Sequence, residues 1–595
     1  MTEYLNQTWD LESIFAGGSH SVALMKHLEL TQSEIDQLQA DIIATDAHAD
    51  AMAWSSLLYR IQDVSAKLRE AGAFCGCLVS QNVRDEQAKL LSGRTTQLSA
   101  SLTSAYLALD AKLLEMNEDT WNTLLNEKSI EELRFNLKER RMRASDRLDQ
   151  ARETLIADLS VDGYHAWSRL YRTVVSRMTL PFSVNGTTVA LSMGQAANKL
   201  MDPDRAVRSA TFKKWEDIWT ESEDLCASAL NHIAGYKLAL YKHRGWDSVL
   251  HEPLQYNRMT ERTLQVMWDV IEQHHVPFVD YLHRKAKLFG VEKLSWHDVA
   301  APLGEGSKTY TYEQAAEFIV EQFGKFSTDM ADFAQKALRN RWVEAQDRAG
   351  KDTGGYCTSF PVSEQSRIFM TFSGTFGNVS TLAHELGHAY HQSVMRGIPI
   401  LAKGYAMNVA ETASTMAERI VTDAAVKHAT DPHERLALLE DKVQQAATMF
   451  MNIRSRFLFE TRFYEQRRKG LVGASELSEI MEQAQRDAFH HSLGEYHPHF
   501  WASKQHFYGT GVPFYNFPYT FGYLFSNGIY ALAQEEGPQF ADKYVALLRD
   551  TGRMTVEDLA RKHLGVDLTK ADFWEHATRV AITDATEFMQ LTEHM

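Results

Sequence analysis

Apolar residues recur at three- and four-residue spacing along most of the chain, the period of a helix that buries one face. The stretches 51–70 and 87–114 show it most plainly, and helical patterns return over 206–288 and 312–340. Residues 130–159 are rich in Arg and Glu, with opposite charges four apart, and predict an exposed helix. Three stretches break the pattern. Residues 299–310 carry Pro302, Gly304, Gly306 and Ser307 and predict a surface loop; 346–361 carry Gly350, Gly354, Gly355 and Pro361; 508–518 carry Gly509, Gly511, Pro513 and Pro518. After the second break, residues 367–373 alternate in part and favour β structure, so a strand is expected there. No repeat of fixed period stands out, which argues against a solenoid. The expected fold class is mainly α, a large helical body with a small β element.

At 595 residues the chain exceeds one compact core, and no Pro/Gly/Ser-rich tract is long enough to act as a flexible linker. Packed domains over 1–115, 116–200 and 201–595 are expected, the first two helical. A net charge of -16 argues against a broad grip on nucleic acid. The local run Arg140, Arg141, Arg143 sits among acids and predicts a solvated helix face. No apolar stretch is long enough to span a bilayer, and the first residues, Met1 to Gln7, show no secretory pattern. Four cysteines, Cys75, Cys77, Cys226 and Cys357, are too few to staple so large a chain. A cytoplasmic protein with no membrane or nucleic-acid partner is expected, its oligomeric state open.

Candidate chemistry lies in Leu382-Ala-His-Glu-Leu-Gly-His. A helix turns about 100° per residue, so His384 and His388 lie about 40° apart on one face, where both imidazoles reach one ion at about 2 Å. Glu385 stands about 60° round from His388, near enough to touch a water at that ion without being a ligand, as a general base requires. A catalytic zinc takes three protein ligands and leaves one position open. A second helix is expected to start near Asn408, and Gly397, Pro399 and Gly404 allow a turn that brings it back. Glu411 is then the expected third ligand, and Glu418, seven residues on, the carboxylate that orients a ligand histidine. His391 shares the stripe of His384 and is expected to support the site or pack in the core. The ligand types favour one Zn2+ per chain.

The block from Phe369 to His391, followed by Glu411-Thr-Ala-Ser, resembles the oligoendopeptidase F branch of the thimet-oligopeptidase-like zinc peptidases. So do the opening Trp9-Asp-Leu-Glu-Ser-Ile-Phe and the segment Lys351-Asp-Thr-Gly-Gly-Tyr-Cys-Thr-Ser-Phe-Pro. The resemblance runs over nearly the whole chain. It implies a helical body with a deep substrate channel, cleavage of short peptides, a connecting region of oligoendopeptidase F type over 116–200, and a catalytic domain over 201–595. It also implies that the strand before the motif helix pairs with the substrate backbone. An exposed edge at 367–373, continuing through Phe372, Ser373 and Gly374, suits that role, and Gly355 and Tyr356 are expected to offer backbone contacts.

The segment His506 to Ser526 is rich in Tyr and resembles the stretch that stabilises the oxyanion in this family. Its spacing departs from the thimet pattern, so the donor stays open among His506, Tyr519, Tyr523 and Tyr515, in that order. His490, His491, His497 and His499 form a second histidine-dense stretch. No acid or cysteine sits there at ligand spacing, and structural or surface roles are expected. Together these readings point to a zinc endopeptidase acting on short peptides. An exopeptidase of the same family and a catalytically silent helical peptide-binding protein are the competing readings.

Overall fold

Ser21, Asp50 and Asp85 each turn a side-chain oxygen onto a backbone N–H three residues ahead, at Leu24, Ala53 and Ala88, and so start a long helix. These helices are α1 (Val22–Ala44), α2 (Ala51–Gln81) and α3 (Glu86–Glu115). Along α1 the buried positions are Leu24, Leu28, Thr31, Ile35, Leu38 and Ile42, the three-and-four spacing of a single buried stripe. The stripes of α2 and α3 meet it in one core that also takes in Trp9, Phe360 and Phe369.

The computed structural model describes residues 5–184, 186–303 and 308–595. Gly304, Gly306 and Ser307 of the expected surface loop lie outside the described residues, as do Met1 to Tyr4. The chain is mainly helical and forms two units. The first comprises Met1–Arg147, Lys308–Ala424 and Leu532–Gly565; the second comprises Leu148–Ser307, Ala425–Ala531 and Val566–Met595. No described helix is long and apolar enough to cross a membrane.

In the first unit the expected basic face is fully paired: Arg140 meets Asp110 at 2.8 Å, Arg141 meets Glu118 at 3.0 Å, and Arg143 meets Glu139 at 2.7 Å. A three-stranded sheet has the order β3 (Val343–Glu344), β5 (Gln365–Phe369), β4 (Tyr356–Phe360). β3 runs parallel to β5, and β4 runs antiparallel to it, with Tyr356 opposite Phe369 and Phe360 opposite Gln365. This corrects the expected exposed edge at 367–373. The strand starts at Gln365, ends at Phe369 and lies in the middle of the sheet, with both sides paired. Beyond it, Phe372 still donates its N–H to Ala345 O at 2.8 Å. The edge strand is β4, hidden from a pattern reading because it falls inside a glycine-rich break.

In the second unit, residues 206–288 are not one run of helix. A 40-residue helix, Arg205–Arg244, stops at Gly245, whose φ of 72° places it in the left-handed region that ends helices. Shorter helices follow at His251–Tyr256, Glu261–Gln273 and Val276–Leu288. The region 116–200, expected to be helical, contains a hairpin of β1 (Thr179–Val184) and β2 (Thr187–Ser192). Gly186 turns it at φ 81°. Asn185-Gly186 between alternating residues is a strong hairpin signal in sequence, though Asn185 itself lies outside the described residues.

Candidate active site

The motif helix, Phe376–Val394, opens with a reciprocal cap. Thr375 Oγ1 accepts from Asn378 N, and Asn378 Oδ1 accepts from Thr375 N. The same Asn378 oxygen accepts from Ser373 N and Ser373 Oγ, both at 2.8 Å, which fixes how the chain enters the helix. About three turns in, Gly387 faces the helix Thr412–His428. A Cβ at Gly387 would stand 2.6 Å from Ala413 O, 2.7 Å from Ser414 Cα and 2.8 Å from Ala417 Cβ. Only glycine fits. The two helices therefore touch backbone to backbone between the motif histidines and the carboxylates opposite them.

That contact assembles the site. Glu411 sits at the junction between the short helix Met407–Ala410 and the helix Thr412–His428, and Ser414 Oγ donates to its Oε2 at 2.7 Å. Glu411 Oε2 lies 3.2 Å from His384 Nε2 and 3.3 Å from His388 Nε2. A tetrahedron with ligand bonds of about 2 Å has an edge of about 3.3 Å, which both Glu411 distances match, and the three atoms all lie within 4.8 Å of one another. Two imidazoles and a carboxylate are a donor set that zinc favours, and the residues present fit such an ion. Among the described residues, this is the group of three or more potential ligands close enough to share a metal.

Glu418 Oε2 lies 3.2 Å from His384 Nδ1. A carboxylate only accepts, so Nδ1 carries a proton, and Nε2, turned to Glu411, is the nitrogen that would bind an ion once its own proton is displaced. Burial lowers the pKa of His384, but Glu411 and Glu418 overcome it and hold the imidazole protonated up to about 10. Burial acts against the charge on Glu411 too, yet the two histidines keep its carboxyl well below the usual range. Without an ion, the site is a bound cluster of opposite charges.

Glu385 is 6% exposed, and its buried Oε2 has no hydrogen-bond partner among the described residues. Burial raises its pKa, His384 and His388 pull it down, and Glu411 pushes it up again. A Cβ on Gly355, just before β4, would stand 3.6 Å from Glu385 Oε1, so the start of the edge strand passes close to this carboxylate.

Other expected residues are placed as follows. His391 is fully buried and turns away from the cluster. Its Nε2 reaches Leu548 O at 3.1 Å and Thr551 Oγ1 at 2.9 Å, and its ring stacks on Tyr405 at 4.5 Å. Burial holds its pKa at about 3, so it is a neutral core histidine rather than a support for the ligands. Tyr356 points its ring onto Phe369 and its hydroxyl to Ser80 Oγ at 2.9 Å, leaving only its backbone for other contacts. Phe372 is buried against Tyr312, and Gly374 takes φ 89° with its carbonyl accepting from Tyr310 N.

In the second unit, His506 lies with its ring 5.2 Å from Tyr515 and 6.3 Å from Tyr519, all three half-buried. Asn516 Oδ1 meets His506 Nδ1 at 3.1 Å and accepts from Arg456 Nη1 at 3.0 Å, a support that sequence reasoning missed. Tyr523 is 4% exposed and packs edge-on against Phe450 in the core. The histidine-dense stretch has acidic partners after all. His499 pairs with Glu216 at 2.8 Å and Glu223 at 2.9 Å, and His497 also meets Glu216. Both acids come from the helix Arg205–Arg244, far away in sequence.

Comparison with known proteins gives the class. The model of peptidase family M3 matches residues 199–580, more than half of the chain, and that of oligopeptidase F matches residues 112–179. The oligoendopeptidase F homolog of Lactococcus lactis subsp. lactis is 21% identical over 98% of this chain and 97% of its own. Group B oligopeptidase PepB of Streptococcus agalactiae is 23% identical over 96% of this chain and 95% of its own. The crystal structure of oligoendopeptidase-F from Enterococcus faecium superposes with a TM-score of 0.71 at 19% identity, covering 96% of this chain and 99% of that one. The fold and the His-His-Glu cluster are those of a metal-dependent peptidase. The chain belongs to peptidase family M3, in its oligoendopeptidase F branch.

Two outcomes follow from the geometry. Gly387→Ala pushes the helices apart, at about 1–3 kcal/mol of overpacking, and lowers metal affinity by about 10- to 100-fold; chelator competition checks the affinity, and wild-type affinity would contradict the close-approach argument. Metal binding must displace the proton that His384 holds up to about 10. The charge-pair stability of the metal-free site is complete below the ordinary histidine pKa and is lost as pH rises through about 10. Affinity for the ion therefore rises with pH, by about tenfold per unit for one proton. Titrations at pH 6, 7 and 8, corrected for the chelator's own protonation, should show that slope.

Proposed function

We propose that the chain is a zinc-dependent endopeptidase that hydrolyses internal bonds of short peptides. The observation that carries this reading is the buried carboxylate of Glu385, with one oxygen that has no hydrogen-bond partner among the described residues, beside the three potential ligands His384, His388 and Glu411. A carboxylate left in that state costs stability unless something polar occupies the space before it. One Zn2+ per chain, when bound, supplies a Lewis acid that makes a coordinated water acidic near pH 7.

The chain's own residues do the rest. Glu385 takes one proton of the attacking water, and its raised pKa suits a base that works near neutrality. The water oxygen bonds to the scissile carbonyl carbon. Glu385 then gives the proton to the leaving nitrogen as the C–N bond breaks, and the second proton of the water passes from the new carboxylic acid to the amine, leaving a carboxylate and an ammonium group. Glu418 holds His384 in the tautomer that binds the ion. The free edge of β4, starting beside Glu385, offers backbone groups that can hold an extended peptide. Within the second unit, His506, steadied by Asn516, stands beside Tyr515 and Tyr519 as a cluster of hydrogen-bond donors. Tyr523 drops from that set because of its burial. Four free thiols support a reducing compartment, with the cytoplasm as the proposed location.

Glu385→Gln should keep the metal and lose cleavage of a quenched peptide by at least about 100-fold, the usual scale of general-base catalysis; normal turnover by that variant would refute the base assignment. An internally quenched peptide blocked at both ends should be cut at an internal bond, as read by mass spectrometry of the products. Cleavage only after one end is unblocked would favour exopeptidase action instead.

A further inference from the structure

In the first unit, the C-terminal end of the motif helix forms one wall of a cavity of about 260 Å³. The turn between β4 and β5 and the segment 400–405 close it from other sides, and Arg69 of α2 reaches its rim. Three cations line it, Arg69, Arg396 and Lys403, against one exposed acid, Glu364. Arg69 Nε donates to Ser359 Oγ at 3.1 Å, and Arg396 Nη2 donates to the carbonyl of Glu364 at 2.6 Å. The ammonium of Lys403 makes no hydrogen bond with a described residue, and none of the three cations has a described carboxylate within 4.0 Å. Three buried lysines elsewhere are matched: Lys285 meets Glu440 at 2.6 Å, Lys442 meets Asp584 at 2.7 Å, and Lys237 meets Glu252 at 2.9 Å.

The surplus positive charge is felt within the cavity. Burial lowers the pKa of Lys403, and Arg69, Arg396 and Arg549 lower it further against the opposing pull of Glu364. The end of the helix accounts for only part of this charge. Arg549 donates to the carbonyls of Val394 and Arg396, as a helix C-terminus invites, whereas Lys403 is left over. Cations without a carboxylate beside them, round a hollow of mixed polar and apolar lining, have the chemistry of a carboxylate site.

The cavity is also aligned with the proposed reaction centre. Gln392, in its wall, lies seven residues beyond Glu385 on the same helix stripe, about 10 Å along the axis. β4 covers the same distance alongside. It begins after Gly355, beside Glu385; Cys357 Sγ stands 3.8 Å from Gln392 Oε1, and Ser359 forms part of the cavity wall. An extended chain pairing with β4 rises about 3.3 Å per residue and so spans the interval in about three residues.

We propose that this cavity is a carboxylate-binding subsite in which Arg69, Arg396 and Lys403 hold a substrate carboxylate about three residues from the cleaved bond. The proposal rests on the peptidase reading above and adds a ruler to it. The carboxylate is either the peptide's C-terminus or an Asp or Glu side chain. The test uses the full chain carrying Glu385→Gln, with fluorescent peptides whose cleaved bond has been mapped on the wild type. One arm compares free-acid and amidated C-termini three residues from that bond; the other compares Glu with Gln at that distance. One arm should show at least about tenfold tighter binding of the carboxylate by anisotropy, the scale of one charge-assisted hydrogen bond. Adding Lys403→Met, or Arg69→Gln on the exposed rim, should bring that ratio down towards one. Equal affinities in both arms, or a preference that survives both substitutions, would overturn the subsite. The ratio is read without turnover, so it stands or falls separately from the role of Glu385.

Discussion

The site depends on one contact in which there is no room for a side chain. At Gly387 the motif helix and the helix Thr412–His428 approach so closely that a Cβ would lie under 3 Å from three different atoms. One turn on the N-terminal side of that contact lies His384, and the next residue on the other side is His388. Across it lie Glu411 and Glu418. A wider separation would take Glu411 out of reach of both imidazoles and Glu418 off Nδ1 of His384. The glycine between the motif histidines is thus a spacing device, and the ligand geometry is a consequence of helix packing.

Electrostatics then set what that packing must hold. Two histidines and two carboxylates meet in a largely buried space, where an isolated charge is costly and a matched one is tolerated. In the absence of an ion a proton on His384 balances the carboxylates, and a divalent cation replaces that proton. Glu385 is the exception. It is buried beside the cluster, yet one of its oxygens has no hydrogen-bond partner among the described residues, the state expected of a group kept for proton transfer. Stability is given up at this residue and recovered by the pairing around it.

How much of this was legible in the sequence depended on range. The spacing of the motif histidines and Glu385 follows from helix periodicity, whereas Glu411, expected inside a helix starting near Asn408, sits at the junction between Met407–Ala410 and Thr412–His428. The long stripes of α2 and α3 were readable for the same reason. β4 was not, because five residues in a glycine-rich segment carry no period, and only their pairing with β5 makes them a strand. The hairpin at Gly186 carries a turn signal, but the helical patterns on either side of it dominate the stretch. His391 shares its helical stripe with His384, but periodicity could not show that Leu548 and Thr551 would claim its ring. The acids facing His497 and His499 lie more than 270 residues earlier, beyond the reach of any spacing rule. The interleaving of the two units leaves no local trace either.

X-ray absorption at the zinc edge of the metal-loaded chain is the most direct test of the central claim. Two imidazole nitrogens and one carboxylate oxygen, all at about 2.0–2.2 Å, with one further light atom, are the shell that His384, His388 and Glu411 would provide. Replacement of Glu411 by Ala should remove one oxygen from that shell and leave the imidazole scattering intact. A sulfur at about 2.3 Å, or a shell unchanged by that substitution, would contradict the account.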